Sequence, residues 1–273
     1  MEETVLRSLV ELQQYRVRLV DFLDYGTQST STLHSKHVDL NYYFIMSLVI
    51  GIDGCKSGWF VVWEESDTGL QSCVIPKLTN LHEITNKFDR LTVGIDMPVV
   101  LSASIPREAD QLARRQLGKK ASSIFSAPTP EMLKQESYAD VRRFSQIQFG
   151  KSVSIQSWNL FPKIRDVQNA LDMEQLDLFE IHPELSFKAL NNGNVILESK
   201  KTLEGFLVRK LLLENAFATF VFETIRAQYL KKDVANDDIL DALVVLWSAK
   251  RVTSGQARFL PEHPNKPNMR IAY

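Results

Sequence analysis

The sequence predicts a mixed α/β protein, a sheet of short strands covered by helices. Three observations predict it. Two apolar runs, residues 47–53 (SLVIGID) and 90–96 (RLTVGID), end in the same tripeptide, Gly-Ile-Asp. The first is followed at once, across a tight glycine-containing turn, by a second apolar run, Trp59-Phe60-Val61-Val62-Trp63. Downstream, helical spacing of apolar residues alternates with strand-like runs, the order that packs helices onto a sheet.

The elements follow in order. Residues 47–53 and 58–64 read as a hairpin, and 70–78 as a third strand. Residues 80–88 (NLHEITNKF) read as a short helix with Asn80 as a possible cap. "RLTVGIDMP" is a fourth strand, stopped by Pro98. "PREADQLARRQLGK" is helical, with Pro106 at a favoured first-turn position and Gly118 near its end. Helical patterns resume around 131–147 and 162–174. A fifth strand lies within 176–184, followed by a helix from Thr202, another ending near Tyr229, and a last strong helix over 237–252. Residues 1–45 stand apart. An amphipathic helix carrying Val5, Leu9, Leu12, Leu19 and Leu23 leads into a polar linker, GTQSTSTLHSKH. The expected division is an N-terminal extension over 1–45 and one domain over 46–273, with Met46 an alternative start.

At 273 residues, 44% apolar and 24% charged, the chain is long enough to bury a proper core. A net charge of −1 excludes a chain-wide electrostatic grip on nucleic acid but allows a local basic patch. The two cysteines, Cys55 and Cys73, suit a reduced cytoplasmic protein better than a disulfide scaffold. Cys55 has no evident partner for a nucleophilic role. No apolar run reaches the roughly 18 residues of a membrane span. Residues 1–30 are charged throughout, unlike a secretory leader.

The chemistry lies in the aspartates. Asp53 and Asp96 each end a strand, and in open α/β sheets functional groups gather beyond the carboxyl ends of the strands. Either could instead cap the turn that follows it. Asp237, Asp238 and Asp241 begin the last helix. The first two suit a helix N-terminus by capping and dipole. Asp241 is set among Ile239, Leu240, Ala242, Leu243, Val244, Val245, Leu246 and Trp247, which marks a buried helix. A buried carboxylate wants a partner, and Asp237 and Asp238 on the same face only add repulsion. A divalent cation held between this helix and the two strand ends resolves that repulsion. Mg²⁺ and Mn²⁺ prefer such oxygens.

The ordered segments "IGIDGCKSGW", "VGIDMP", "SSIFSAP", "QSWNLFPKI", "EIHPELSF", "SKKTLEG" and "DDILDALVVLWSAKR" resemble those of the domain-of-unknown-function family 429. That family is described as predicted nucleases with an RNase H-like fold. The resemblance spans Met46 to Tyr273 and implies an RNase H-like mixed sheet: an antiparallel ribbon continued by parallel strands, flanked by helices. The chain is also similar to RuvC-type resolvases. That likeness implies catalytic and metal-binding roles for Asp53, Asp96, Asp238 and Asp241, with Asp96 standing where those enzymes carry a glutamate.

Several residues are candidates to touch a substrate. Arg107, Arg114, Arg115, Lys119 and Lys120 could grip phosphates from one side of a helix, or form a solvated face. Lys56 sits in the turn after Asp53. Ser122, Ser123 and Ser126 could bind phosphate or cap turns. Glu180 and His182 share a side of the fifth strand, and His182 or Glu184 could reach the site. Trp158, Phe161 and Trp247 read as core rather than base-stacking residues. The leading expectation is a Mg²⁺- or Mn²⁺-dependent nuclease acting on DNA or RNA. Two alternatives stand beside it: an actin-like-superfamily phosphotransferase, and a non-catalytic binding module on the same fold.

Overall fold

In the computed structural model of the chain, the residues described are 46–65, 68–173, 176–218, 220–264, 266 and 269–273. The expected extension over 1–45 lies outside them.

In chain order, β1 is Ser47–Cys55, β2 Gly58–Glu65 and β3 Gly69–Ile75. A 3-10 turn over Leu78–Leu81 leads into the single-turn helix α1, His82–Thr85, and then β4, Arg90–Ile95. Next come α2, Glu108–Leu117, a 3-10 turn over Gly118–Ser123, α3, Pro130–Leu133, α4, Tyr138–Phe149, and α5, Ile155–Ala170. β5 is Leu176–Ile181, α6 Pro183–Leu190, α7 Leu203–Ala216 and α8 Phe222–Arg226. The long helix α9 is Asn236–Thr253, followed by the short strands β6, Phe259–Leu260, and β7, Ile271–Ala272.

The seven strands form one sheet in the order β3-β2-β1-β4-β5-β7-β6. β1 pairs antiparallel with β2 and parallel with β4, and β5 extends the parallel side. This is the antiparallel ribbon continued by parallel strands that the family resemblance implies, and the strand order is consistent with an RNase H-like sheet. The alternation of side chains along β1 divides the core. Ile50 and Ile52 join Trp59, Val61 and Trp63 beneath α5, whose Phe161, Ile164 and Val167 are fully buried. Phe60 and Val62 join the α9 layer with Leu240, Leu243, Val244 and Leu246. Helix α9 is therefore apolar on nearly every side because it is sandwiched between the sheet and α7 and α8.

Some boundaries differ from expectation. Pro162 lies inside α5 rather than at its start, because Ser154 caps the helix a turn and more earlier by accepting from Ser157 N. Asn80 does not cap a helix; its side-chain amide donates to Glu83 at 2.7 Å. Pro106 precedes α2, whose N-cap is Arg107, while Gly118 ends that helix at φ 51°. Thr202 caps α7, accepting from Gly205 N at 3.2 Å. Both cysteines are free, Cys55 buried and Cys73 partly so. Among the described residues no helix is long and apolar enough to cross a membrane.

Candidate acidic site

The two Gly-Ile-Asp tripeptides sit side by side. Gly51 pairs with Gly94 and Ile52 with Ile95 across the parallel β1–β4 ladder, and Asp96 N donates to Ile52 O at 3.1 Å. Neighbouring strands run about 4.8 Å apart. Asp53 and Asp96, one step beyond the paired isoleucines, therefore leave the sheet together on one face. Gly51 and Gly94, two residues earlier, lie on that same face. A Cβ on Gly51 would stand 2.4 Å from Ala242 O and 2.4 Å from Leu246 N, and one on Gly94 would stand 2.5 Å from Ile181 Cδ1. Gly51 is there so that α9 can rest on bare backbone, and a Cβ on Gly94 would also crowd Val245 Cγ1 at 3.0 Å and Ala249 Cβ at 3.1 Å on α9. From Ala242 back to Asp238 the helix rises about 6 Å, close to the ~6.6 Å from Gly51 to Asp53. Asp238 is thus carried to the level of the strand ends, while Asp241, one residue before Ala242, is close enough to act on both Asp53 and Asp96.

Asp53 is 8% exposed and Asp241 2%, while Asp96 keeps partial access to the surface. All three carboxyls resist ionisation. Burial, then Asp96 and Asp241, push Asp53 well above the usual range. Burial and then Asp241 push Asp96 up to about 8, with Glu180 and Glu184 adding and Lys200 opposing. Burial raises Asp241, against the nearby Lys200 ammonium. Asp53 Oδ1 also accepts from its neighbour's Gly54 N at 2.7 Å, which fixes the carboxylate plane.

Lys200 supplies the nearest positive charge. Its Nζ bonds Asp241 Oδ2 and lies 3.6 Å from Asp237 Oδ2, with the side chain 37% exposed. Sequence reasoning passed over this lysine, although it stands in the quoted segment SKKTLEG. Around it, Asp237 is answered by Lys201 at 2.6 Å, and Glu184 by both oxygens at 2.8 Å from the fully buried Arg209. Asp238 stands at the rim. Its Oδ2 turns back to accept from Ala235 N at 2.8 Å, as the third residue of a helix does when it caps.

His182 borders the same region. Its Nε2 lies 3.4 Å from the carbonyl oxygen of Ser123, which can only accept, so Nε2 carries the proton. Its Nδ1 is buried without a partner among the described residues. Burial lowers the imidazole to about 4, so it is neutral at ordinary pH. Asp96, Glu180 and His182 line a cleft of about 20 Å³, together with Arg107 and Asp110. That is room for one water or a small ion.

Other candidates are committed elsewhere. Arg107 is 3% exposed. Its nitrogens donate to Asp110, Glu180 and the Val100 carbonyl, with 2.6 Å contacts to both carboxylates. No donor is left to grip a phosphate, so Arg107 is a structural ion rather than a substrate ligand. Arg114 braces the loop after the second 3-10 turn, donating to Ile124 O at 2.8 Å and Ser126 Oγ at 3.1 Å. Ser123 Oγ donates to Lys120 O, and Lys120 Nζ to Glu198 O. Lys56, Arg115, Lys119 and Ser122 are exposed. Trp158 packs on Phe161 at 5.1 Å between ring centres, and Arg251 covers Trp247 at 4.6 Å.

The donor set fits a divalent cation in kind: three carboxyls from three elements, each costly to ionise without one. Asp53, Asp96 and Asp241 are the residues that would hold it. Among the described residues no three Asp, Glu, His or Cys side chains already stand at ligand spacing. The Lys200 ammonium bonds Asp241 Oδ2. Fold and site together define an α/β protein with a carboxylate cluster at the ends of two parallel strands. The chain belongs to the family described as "Protein of unknown function (DUF429)", whose model matches residues 51–266. Comparisons with the curated proteins and with the solved structures gave no match.

Proposed function

We propose that the protein hydrolyses phosphodiester bonds of nucleic acid, using Mg²⁺ or Mn²⁺ held by Asp53, Asp96 and Asp241. The observation that supports this reading is the electrostatic coupling of three buried or half-buried carboxyls: burial raises each, Asp96 and Asp241 raise Asp53, and Asp241 raises Asp96. When bound, the ion would polarise a phosphoryl oxygen and lower the pKa of a water molecule. The chain's own part is positional. Gly51 and Gly94 let α9 bring Asp241 to the strand ends, and Gly54 N orients Asp53. The net charge of −1 means that affinity for a phosphate backbone must be local. Lys56, exposed and next to Asp53 in sequence, would supply part of it.

The test is incubation of labelled single strands, duplexes, RNA–DNA hybrids and four-way junctions with Mg²⁺ or Mn²⁺. Cleavage of at least one, lost in Asp241→Asn while the fold is retained, is the expected result. Cleavage by the variant at the wild-type rate would remove Asp241 from the chemistry. The Lys200–Asp241 ion pair favours one rival, a non-catalytic module whose acidic cluster is neutralised from within. That reading stands if no substrate is cut.

A further inference from the structure

We propose that the cleft between α5 and the turn after β3 is a second ligand site, which takes a sugar phosphate, free or as part of a nucleotide. It lies apart from the acidic cluster and does not depend on it. Asp53 leaves β1 towards α9, whereas Gly54, the next residue, faces α5: a Cβ there would stand 2.9 Å from Lys163 Cδ and Cε. The cleft measures about 410 Å³, within the roughly 300–1,000 Å³ of small-molecule sites. Its walls are tied together by Asp166 of α5. The Oδ2 atom of Asp166 accepts from Trp59 Nε1 on β2 at 2.7 Å and from Leu78 N, at the start of the 3-10 turn, at 2.9 Å. The floor is the Trp59 ring, 1% exposed, and the exposed Pro76 and Pro162 flank the opening.

Charge sets the sign of the ligand. Lys77, Lys163 and Arg165 line the cleft with one carboxylate, Asp166. Lys163 Nζ donates to Gly58 O and stands 4.4 Å from the centre of the Trp59 ring. One carbonyl and one ring face leave that half-buried ammonium with donors to spare. Burial lowers its pKa, against Cys55 and the carboxylates of Asp53, Asp166 and Asp238. Lys77 is exposed and has no partner for its ammonium among the described residues. Arg165 is braced by the carbonyls of Leu133 and Gln135, which take its Nε and Nη2. A phosphate monoester, of about −1.5 to −2 charge at neutral pH, answers this surplus of cations through charge-assisted bonds. The remaining volume suits a hydroxylated ring. The Thr79 hydroxyl, the Asn169 amide and Asp166 Oδ1, the oxygen that neither Trp59 nor Leu78 uses, offer both donors and acceptors.

The experiment is isothermal titration calorimetry on the full chain, with EDTA present, using AMP, ribose 5-phosphate, adenosine and inorganic phosphate as probes. AMP, ribose 5-phosphate or both should bind, more tightly than adenosine or inorganic phosphate. Binding by AMP alone assigns the site to nucleotides, and equal binding of the two esters assigns it to the sugar phosphate itself. Lys77→Gln and Lys163→Gln should each weaken that binding about tenfold or more, the scale of one hydrogen bond to a charged group, and Asp241→Asn should leave it unchanged. No binding of either ester, binding that both lysine variants retain in full, or inorganic phosphate binding as well as the esters would overturn the proposal. So would a loss in Asp241→Asn equal to that in the lysine variants, which would move the ligand to the acidic cluster. A melting curve for each variant separates loss of fold from loss of binding, and the exposed Lys77 keeps the test open if Lys163→Gln does not fold. Failure here would leave the reading of the acidic cluster as it stands.

Discussion

Gly51→Ala tests the packing that assembles the site. An alanine Cβ at 51 would stand 2.4 Å from Ala242 O, 2.4 Å from Leu246 N and 2.7 Å from Leu246 Cα, about 1 Å inside ordinary contact. All three are backbone atoms of a helix packed from both sides, so none can swing away. Two effects compete. Replacing glycine by alanine stabilises by about 0.4–1 kcal/mol through the unfolded chain where the conformation tolerates it. Overpacking a close-packed core costs about 1–3 kcal/mol and sometimes more. The clash is against backbone, so the upper end applies and the net loss is about 2 kcal/mol. Gly54→Ala on the same strand is the matched control. Its Cβ would meet Lys163 Cδ and Cε at 2.9 Å, and that flexible side chain can move. A change below about 1 kcal/mol is expected there. The assay is urea denaturation of the metal-free proteins, followed by Mn²⁺ titration. Gly51→Ala should also bind Mn²⁺ more weakly, because lifting α9 withdraws Asp241 from Asp53. Stability of Gly51→Ala equal to wild type would refute the claim that α9 rests on this glycine.

The remaining predictions concern the buried charges. Asp241→Asn should leave the metal-free stability within about 1 kcal/mol of wild type or raise it. It removes a charge that burial disfavours, while Lys200 keeps water on its 37% exposed side chain and Asp237 at 3.6 Å; a large loss in urea denaturation would contradict this. The metal-free protein should lose stability as pH rises from about 6.5 towards 8, above the range in which His182, lowered to about 4 on folding, gives a slope of the opposite sign. Asp96 is lifted from 3.8 to about 8 on folding, so the folded state holds its proton more tightly than the unfolded chain does. The slope is at most about 1.4 kcal/mol per pH unit, and less for the partial exposure of Asp96; denaturation midpoints that stay flat or rise over this window would contradict it. Arg107→Met should cost about 3–5 kcal/mol, because it strands Asp110 and Glu180, 1% and 7% exposed, without their shared cation. A melting temperature like that of wild type would return Arg107 to the list of free cations.

The sheet was legible because its strands end in repeated, punctuated motifs. The antiparallel β1–β2 hairpin and the β4 and β5 runs were all readable from apolar stretches bounded by glycine, proline or charge. β6 and β7, two residues each, are too short to carry a pattern. The aspartates were legible because a carboxylate inside an apolar helix, as at Asp241, is costly wherever that helix packs. Gly51 and Gly94 were placed inside strands with no role of their own, whereas in the structure Gly51 is where α9 comes closest to the sheet. That purpose depends on a helix nearly two hundred residues away, and no local pattern contains it. Lys200 was missed for the same reason: it pairs with Asp241 across 41 residues, from a segment with no periodicity. Arg107 was misread because one spacing serves both a solvated basic face and a buried ion; only burial separates them.

The claim at the centre of this account is that Asp53, Asp96 and Asp241 make one divalent-cation site. Thermal melting with and without Mn²⁺ tests it most directly, on wild type and on Asp53→Asn, Asp96→Asn and Asp241→Asn separately. At about 100 times the dissociation constant, one bound ion stabilises by about 2.7 kcal/mol, which is roughly 5–10 °C for a domain of this size. The account predicts that shift for wild type and its loss, or near loss, in each of the three variants. No shift in wild type, or an undiminished shift in any one variant, would contradict it.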